Sequence, residues 1–248
     1  MKRVFVKFCL FMLATPWPAW CLLDGDDPNP MRVAMGGTQP ALEGGAGAMR
    51  ENPALLVQPA PGGTAGIGYS RAFGMEELPL WSAWAGWSGA GWGTGAWMRQ
   101  LQAGDVYRED LVEAGGALKA GNWSLGASGE AVQVAFSQGL GSAWSGDLSL
   151  GLFGRPLPWL SLGTSARQIL SSEVGNSGEG LPRDYLAGLA ASTPDGRFVT
   201  AVSARMDGRF EERPTWQVGQ QVNPTPWLTL AGSVRVEPLR LAVGVATR

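Results

Sequence analysis

The sequence predicts an all-β protein, an antiparallel transmembrane β-barrel of about 12 to 14 strands with a short N-terminal plug segment, and three observations carry that expectation. From residue 62 onward, large apolar residues alternate with small or polar ones in a succession of short segments. The connections between those segments alternate between short turns and longer, more polar loops. Charged residues make up only 16% of the 248 residues, while Gly (37) and Trp (12) are abundant. An average soluble domain is about 25% charged, so this composition suits a sheet whose outer surface meets lipid.

The first element is an export signal. Lys2, Arg3 and Lys7 flank the apolar stretch Val4 to Ala14, and Pro16 and Pro18 break it before Ala19-Trp20-Cys21. The stretch falls short of the about 20 apolar residues that a spanning helix needs. Residues 1–21 are therefore expected to be a signal peptide cleaved near Cys21; lipid attachment at Cys21 is the rival reading, disfavoured by the bulky Trp20. Cys9 and Cys21 leave with the signal, so the mature chain has neither thiol nor disulfide. Losing Lys2, Arg3 and Lys7 takes the basic count from 19 to 16 against 21 acidic residues, a net charge of −5 that argues against nucleic acid as a partner. The expected location is the outer membrane of a Gram-negative type of cell, and no later segment is long and apolar enough for a spanning helix, so strands must make the crossing.

Residues 22–30 are acidic and Pro-containing and read as a linker. Residues 31–57 form a separate segment of small residues with the pairs Gly36-Gly37 and Gly44-Gly45, then Ala48, Met49 and Asn52-Pro53-Ala54. The barrel is expected over 62–248. In Trp144 to Phe153, Trp144, Leu148, Leu150 and Leu152 alternate with Ser145, Asp147, Ser149 and Gly151; Leu160 to Arg167, Leu228 to Arg235 and Leu239 to Ala246 repeat the pattern. Twelve strands follow, near 65–70, 80–88, 91–101, 110–120, 123–136, 143–154, 159–169, 183–193, 198–207, 215–222, 228–235 and 239–247. The connections after even strands are short: 89–90, 121–122, 155–158, 194–197 and 223–227. Those after odd strands are mostly longer, the longest being 170–182. Short turns at one rim and long loops at the other are what a barrel with periplasmic and extracellular sides shows.

Pro156-Leu157-Pro158-Trp159-Leu160 matches Pro224-Thr225-Pro226-Trp227-Leu228 in layout. Each Pro pair is expected to form a tight rim turn, since Pro cannot donate a ladder hydrogen bond. Each following Trp then sits where an aromatic ring meets lipid headgroups, and Trp81, Trp92, Trp123, Trp144 and Trp216 also lie near strand ends, as a girdle requires. The competing fold is a soluble all-β sandwich or propeller, which would partition into buffer without detergent.

Little in the chain points to catalysis. With no His and no mature Cys, the imidazole base, thiolate nucleophile and soft metal ligands are missing. The chain is expected not to be an enzyme, and to hold no metal and no cofactor. Glu109, Asp110 and Glu113 are near in sequence, but Glu109 and Asp110 point to opposite faces of a strand. Gly44 to Gly47 has no preceding strand and no following Lys, so it does not make a phosphate loop. Asn122-Trp123-Ser124 has the form of a glycosylation site but falls in a short turn, and the acidic loop from Glu173 to Glu179 reads as hydrated surface. The charges that stand out are Glu113, Lys119, Asp147, Arg167, Arg205, Arg235 and Arg240. All fall on the small-residue, lumen-facing side of their strands, where charge must be wet or paired. Both signs are present, so the lumen is either closed by ion pairs and a plug or a narrow polar passage.

Arg32-Val33-Ala34-Met35-Gly36-Gly37-Thr38, with Ala41, Gly47-Ala48-Met49 and Asn52-Pro53-Ala54-Leu55-Leu56, resembles the opening of mature proteins in the FadL-like outer-membrane superfamily. That superfamily includes long-chain fatty acid transporters and the PorV/PorQ-type proteins associated with type IX secretion. The resemblance covers roughly 25 residues and implies a plug or hatch in which Met35, Gly36, Gly37, Asn52, Pro53 and Ala54 are the motif positions. Gly36-Gly37 permits a tight turn and Asn52-Pro53 is expected to halt a short helix. Two departures stand beside it. Such barrels have about 14 strands against the twelve counted here, and Thr247-Arg248 lacks the terminal aromatic of an assembly signal, so a shortened relative or a chain lacking its last strands is expected.

Two functional expectations follow. In the first, the barrel passes or shuttles a hydrophobic or lipid-linked cargo, with residues 31–56 as the gate and membrane lipid as its surroundings. In the second, it is a non-transporting outer-membrane anchor for extracellular loops or a secretion-system partner. An apolar pocket beside Asn52 would favour transport, and a fully packed lumen would favour anchoring.

Overall fold

In the computed structural model, the described residues are 34–35, 37–42, 44–57, 61–72, 75–137, 141–170, 172–173, 181–208, 214–236 and 240–247. The expected signal peptide, the linker, Gly36 and most of the acidic loop after Glu173 lie outside them. Twelve strands follow one another: β1 (Gly62–Arg71), β2 (Pro79–Gly89), β3 (Trp92–Ala103), β4 (Tyr107–Ala120), β5 (Trp123–Phe136), β6 (Gly141–Leu157), β7 (Leu160–Arg167), β8 (Asp184–Ser192), β9 (Phe198–Asp207), β10 (Thr215–Thr225), β11 (Leu228–Arg235) and β12 (Arg240–Thr247). Each pairs antiparallel with the next in a single twelve-stranded sheet whose spatial order is the chain order. Among the described residues β12 and β1 do not pair, so the sheet is open along that seam. No described helix is long and apolar enough to cross a membrane.

Every strand read from the alternation is present, and β5, β9 and β11 have the expected bounds. The period-2 pattern works here because each side of the sheet has a different neighbour. On the outer face stand Ile67, Met98, Val112, Leu118, Leu125, Leu148, Leu150, Leu189, Val218, Leu241 and Val243, all exposed. Exposed aromatic rings flank this aliphatic belt. Trp92, Trp123, Trp159 and Trp227 lie at the short-turn rim; Tyr69, Trp81, Trp144, Tyr185 and Trp216 lie toward the long-loop rim. Tyr69 and Trp81 are register partners with ring centroids 4.6 Å apart. An apolar outer face between two aromatic bands matches a bilayer's hydrocarbon core between its headgroup layers.

The proline repeat corrects one expectation. β6 and β10 run further than read, taking in Arg155 to Leu157 and Asn223 to Thr225, so each Pro-Trp turn is only Pro158-Trp159 or Pro226-Trp227. The ladder slips at matching places, between Gly154 and Leu157 in β6 and between Val222 and Thr225 in β10. Pro156 and Pro224 sit inside those irregularities, where a missing N–H removes no ladder bond. The Leu157–Leu160 and Thr225–Leu228 pairs then close the two hairpins.

The inner face carries small residues because another part of the chain occupies it. The described residues of 34–57 form 3-10 turns at Gln39–Ala41, Gly45–Ala48 and Pro53–Leu56. These turns pack against β1 through β9, and Met35 and Thr38 reach Gly219 of β10. One short segment meets the inner face of ten consecutive strands only if the sheet curls around it. Gly163 shows how closely the backbones approach, since a Cβ there would overlap the carbonyl of Pro40.

Candidate functional site: a plugged lumen

The plug is fixed to the wall first by its own turns. Thr38 donates its backbone N–H to the Met35 carbonyl at 3.0 Å, with Gly37 at φ +80° in between. This is the left-handed conformation that glycine adopts without steric cost. Asn52 begins the turn Pro53–Leu56: its side-chain oxygen accepts from the Ala54 N–H at 3.0 Å, with Pro53 at the first turn position. Asn52-Pro53 therefore starts a 3-10 turn, where the sequence suggested the halt of a helix; an extended Asn followed by Pro is a favourable N-terminal cap. The Asn52 amide nitrogen donates to Pro40 O and to Leu152 O of β6, both at 2.9 Å. Ala54 is fully buried, and its carbonyl accepts from Ser124 Oγ of β5 at 3.0 Å. Ser161 Oγ of β7 donates to Ala41 O at 2.7 Å. Met35 is fully buried against Gly219.

The lumen interleaves two chemistries. On β3 to β5 an apolar cluster of Trp97, Leu111, Ala117, Val132 and Val134 packs on Ala46, Met49, Leu56 and Val57 of the plug. Leu181, from the long β7–β8 connection, enters the same cluster and is 1% exposed. That connection is held down by Asp147, whose carboxylate accepts from the backbone N–H groups of Leu148, Leu170 and Ser172 at 2.7, 2.8 and 3.3 Å. Leu181 and the plug thus meet in one apolar cluster.

Between and beside these apolar residues lie buried charged groups. The strand register places Glu113, Glu130 and Asp147 side by side across β4, β5 and β6, with Trp97 at the end of the row. Arg50 of the plug lies against this row, its guanidinium 4.7 Å over the Trp97 ring and 3.8 Å from Glu130. Burial pushes the Arg50 guanidinium down to about 10 and Arg167 adds to the shift, while Glu130 offsets part of it; Arg50 stays protonated at neutral pH. Glu113 accepts from Ser128 Oγ at 2.6 Å, and Gln168 reaches Glu130 at 3.0 Å. Further round, Asp184 sits between Arg167 (3.2 Å) and Arg205 (2.9 Å). Nearer the long-loop rim Arg99 and Tyr107 both bond Glu109.

Of the charges singled out from the sequence, Glu113, Asp147, Arg167 and Arg205 lie in this network. Arg235 is on the inner face beside Gln217 of β10. Lys119 is at the short-turn rim, exposed. Arg240 pairs with Arg235 through the β11–β12 ladder, and its side chain lies outside the described residues. Arg50, Trp97, Arg99, Glu130 and Asp184 escaped the sequence reading, and Glu109, set aside there with Asp110, is fully buried. Cross-strand register is the signal that finds Glu130, because it pairs with both Glu113 and Asp147. Among the described residues no cluster of His, Cys, Asp and Glu is placed to hold a metal ion.

Comparison with solved structures finds the same architecture in hydrocarbon channels. The toluene transporter TbuX of Ralstonia pickettii aligns over 90% of this chain and 89% of its own, with a TM-score of 0.66 and 14% identity. The CymD monoaromatic hydrocarbon channel aligns over 83% and 82%, with a TM-score of 0.61 and 16% identity. The Pseudomonas putida toluene transporter TodX aligns over 82% of both chains, with a TM-score of 0.59 and 15% identity. No family model and no curated protein matches the sequence. At these identities the likeness is one of fold: the chain has the antiparallel outer-membrane β-barrel fold of those channels.

Proposed function

We propose that this protein is an outer-membrane channel that passes a small hydrophobic cargo, with the plug as its gate and no catalytic step of its own. The observation that carries the reading is the apolar cluster in the lumen, where Met49, Leu56 and Val57 of the plug pack with Trp97, Leu111, Val132 and Val134. Within this cluster apolar side chains meet apolar side chains, so the surface bared when the plug withdraws would accept an apolar solute; the polar contacts that must break lie at its edge, Ala46 N–H to Thr64 Oγ1 at 3.5 Å and Arg50 to Glu130 and Trp97. At Ala54, Asn52 and Ala41 the plug is hydrogen-bonded to β5, β6 and β7, which suits a hinge. The fold shared with channels for toluene and other monoaromatic hydrocarbons supports cargo of that size and class. The apolar belt and the aromatic bands support residence in the outer membrane.

The test is uptake of radiolabelled toluene by cells with a lipopolysaccharide-faced outer membrane, with and without the protein. Faster uptake of toluene, with uptake of a hydrophilic sugar unchanged, is expected. Equal uptake with the protein folded in the membrane would contradict the reading. A second reading, a non-transporting anchor of the PorV/PorQ kind, draws on the space beside Asn52. That space is packed: Asn52 is fully buried, and a Cβ on Gly151 would overlap its side-chain oxygen. Passage therefore requires the plug to move, whereas an anchor would keep it in place.

A further inference from the structure

Arg50 of the plug fills a place on the wall whose chemistry suits a cation. Its guanidinium lies 4.7 Å over the Trp97 ring and 3.8 Å from the Glu130 carboxylate. Trp97, Glu113 and Glu130 are all buried, and the register sets Glu113 between the other two across β3, β4 and β5. We propose that this place receives the cationic group of a small organic amine carried on an apolar body, with Arg50 as the internal stand-in that occupies it while the plug is seated. The proposal deepens the channel reading and rests on it, since Arg50 leaves the wall only with the plug.

Charge points to a ligand first. Glu113 and Glu130 are neighbours on the wall, and the cation that faces them belongs to the plug. The nearby wall cations have carboxylates of their own, Arg167 with Asp184 and Arg99 with Glu109. When the plug withdraws, two adjacent carboxyl groups stay behind in the lumen, and such a pair is costly unless another cation joins it. Hydrogen bonding points the same way. Glu113 Oε2 and Arg50 Nη1 are both buried without a hydrogen-bond partner among the described residues, so Arg50 meets the charge of the place without completing its hydrogen bonds. An untethered ammonium carries three donors and turns freely to meet both carboxyl groups, while the Trp97 face attracts any cation held over it. Position supplies the apolar part. Leu111 and Val132, register partners in the apolar cluster, are the next inward pair on the long-loop side of Glu113 and Glu130. A cargo entering from that rim would lay its body on Leu111 and Val132 and its cation on the carboxyl groups.

The test titrates the full chain in detergent with benzylammonium, and with benzyl alcohol as its neutral counterpart of the same shape, by calorimetry. Arg50→Ala vacates the place, so it should bind benzylammonium about tenfold more tightly than the parent does, and about tenfold more tightly than it binds benzyl alcohol. Adding Trp97→Leu or Glu130→Gln should weaken that binding about tenfold. Gel heat-modifiability verifies that each variant is folded. In the parent, benzylammonium has to displace Arg50, so amides in 44–57 should exchange faster in its presence and not in that of benzyl alcohol; this arm decides if Arg50→Ala does not fold. Benzyl alcohol bound as tightly as benzylammonium, a folded Arg50→Ala that binds neither, or folded double variants that bind as Arg50→Ala does would overturn the proposal. So would parent exchange that benzylammonium leaves unchanged, where Arg50→Ala does not fold. Binding to Arg50→Ala calls for no plug movement and toluene uptake for no cation, so failure of this proposal and failure of the channel reading are separately visible.

Discussion

The amide nitrogen of Asn52 in the plug donates to the backbone carbonyl of Leu152 in β6 at 2.9 Å. The same nitrogen reaches Pro40 O, while the side-chain oxygen caps the following turn. A single buried side chain thus joins two parts of the plug to the wall. Asn52→Ala leaves two carbonyls without this donor, and a buried unsatisfied group costs about 1–3 kcal/mol. The variant is expected to keep its barrel and loosen its plug. Hydrogen exchange would show amides in 44–57 exchanging at least tenfold faster, with β4 and β5 unchanged; unchanged protection of 44–57 would count against the clamp.

Gly163 tests the close approach of plug and wall. Gly163→Ala places a methyl group onto the Pro40 carbonyl, and backbone cannot step aside as a flexible side chain can. The plug should detach around residues 37–42, seen as protease sensitivity there and a loss of about 1–3 kcal/mol. Gly116→Ala is the matched control, since its Cβ has only the Gly93 carbonyl nearby, at 3.5 Å, and should change stability by less than about 0.5 kcal/mol.

Arg50 and Glu130 are both buried, with side chains 7% and 2% exposed. Arg50→Met removes the cation that faces the carboxyl row and should destabilise the plug by about 3 kcal/mol. Adding Glu130→Gln should recover part of that loss, because the pair is then removed together. A denaturant midpoint for the double variant at or below that of Arg50→Met would show that the two do not act as a pair.

Asp147 governs the long loop. Asp147→Ala strips the acceptor from Leu170 and Ser172 and should free the β7–β8 connection, releasing Leu181 from the apolar cluster. Glutamyl endopeptidase should then cut after Glu173 several times faster than in the parent, with the barrel still heat-modifiable. An unchanged cutting rate would show that other contacts hold the loop.

Strand positions were legible because an outer face of Trp, Leu and Val against an inner face of Ser, Gly and Ala is written into the chain at period 2. Trp144, Leu148 and Leu150 face outward and Asp147 inward, as their spacing implies. The ends of β6 and β10 were not legible: Pro156 and Pro224 read as strand stops, and only the bulge explains how a strand continues through them. The lumen was legible in part. Parity finds Glu113, Asp147 and Arg167, but partnership depends on register across strands and on a plug distant in sequence. Arg50 therefore carries no local signal of its place over Trp97, which lies 47 positions further on. The short helix expected ahead of Asn52-Pro53 is a 3-10 turn at Gly45–Ala48, since the glycines from Gly44 to Gly47 disfavour a regular helix.

The central claim is that cargo passes only when the plug moves, and one cross-link tests it. A Cβ at Gly95 in β3 would lie 3.4 Å from the Cβ of Ala46 in the plug, close to the about 3.5–4.5 Å separation of a disulfide. In Ala46→Cys/Gly95→Cys, oxidation should abolish the protein-dependent toluene uptake and a reductant should restore it, while the parent chain is indifferent to both treatments. Equal uptake by the oxidised and reduced forms, with the cross-link verified by mass, would contradict the gate.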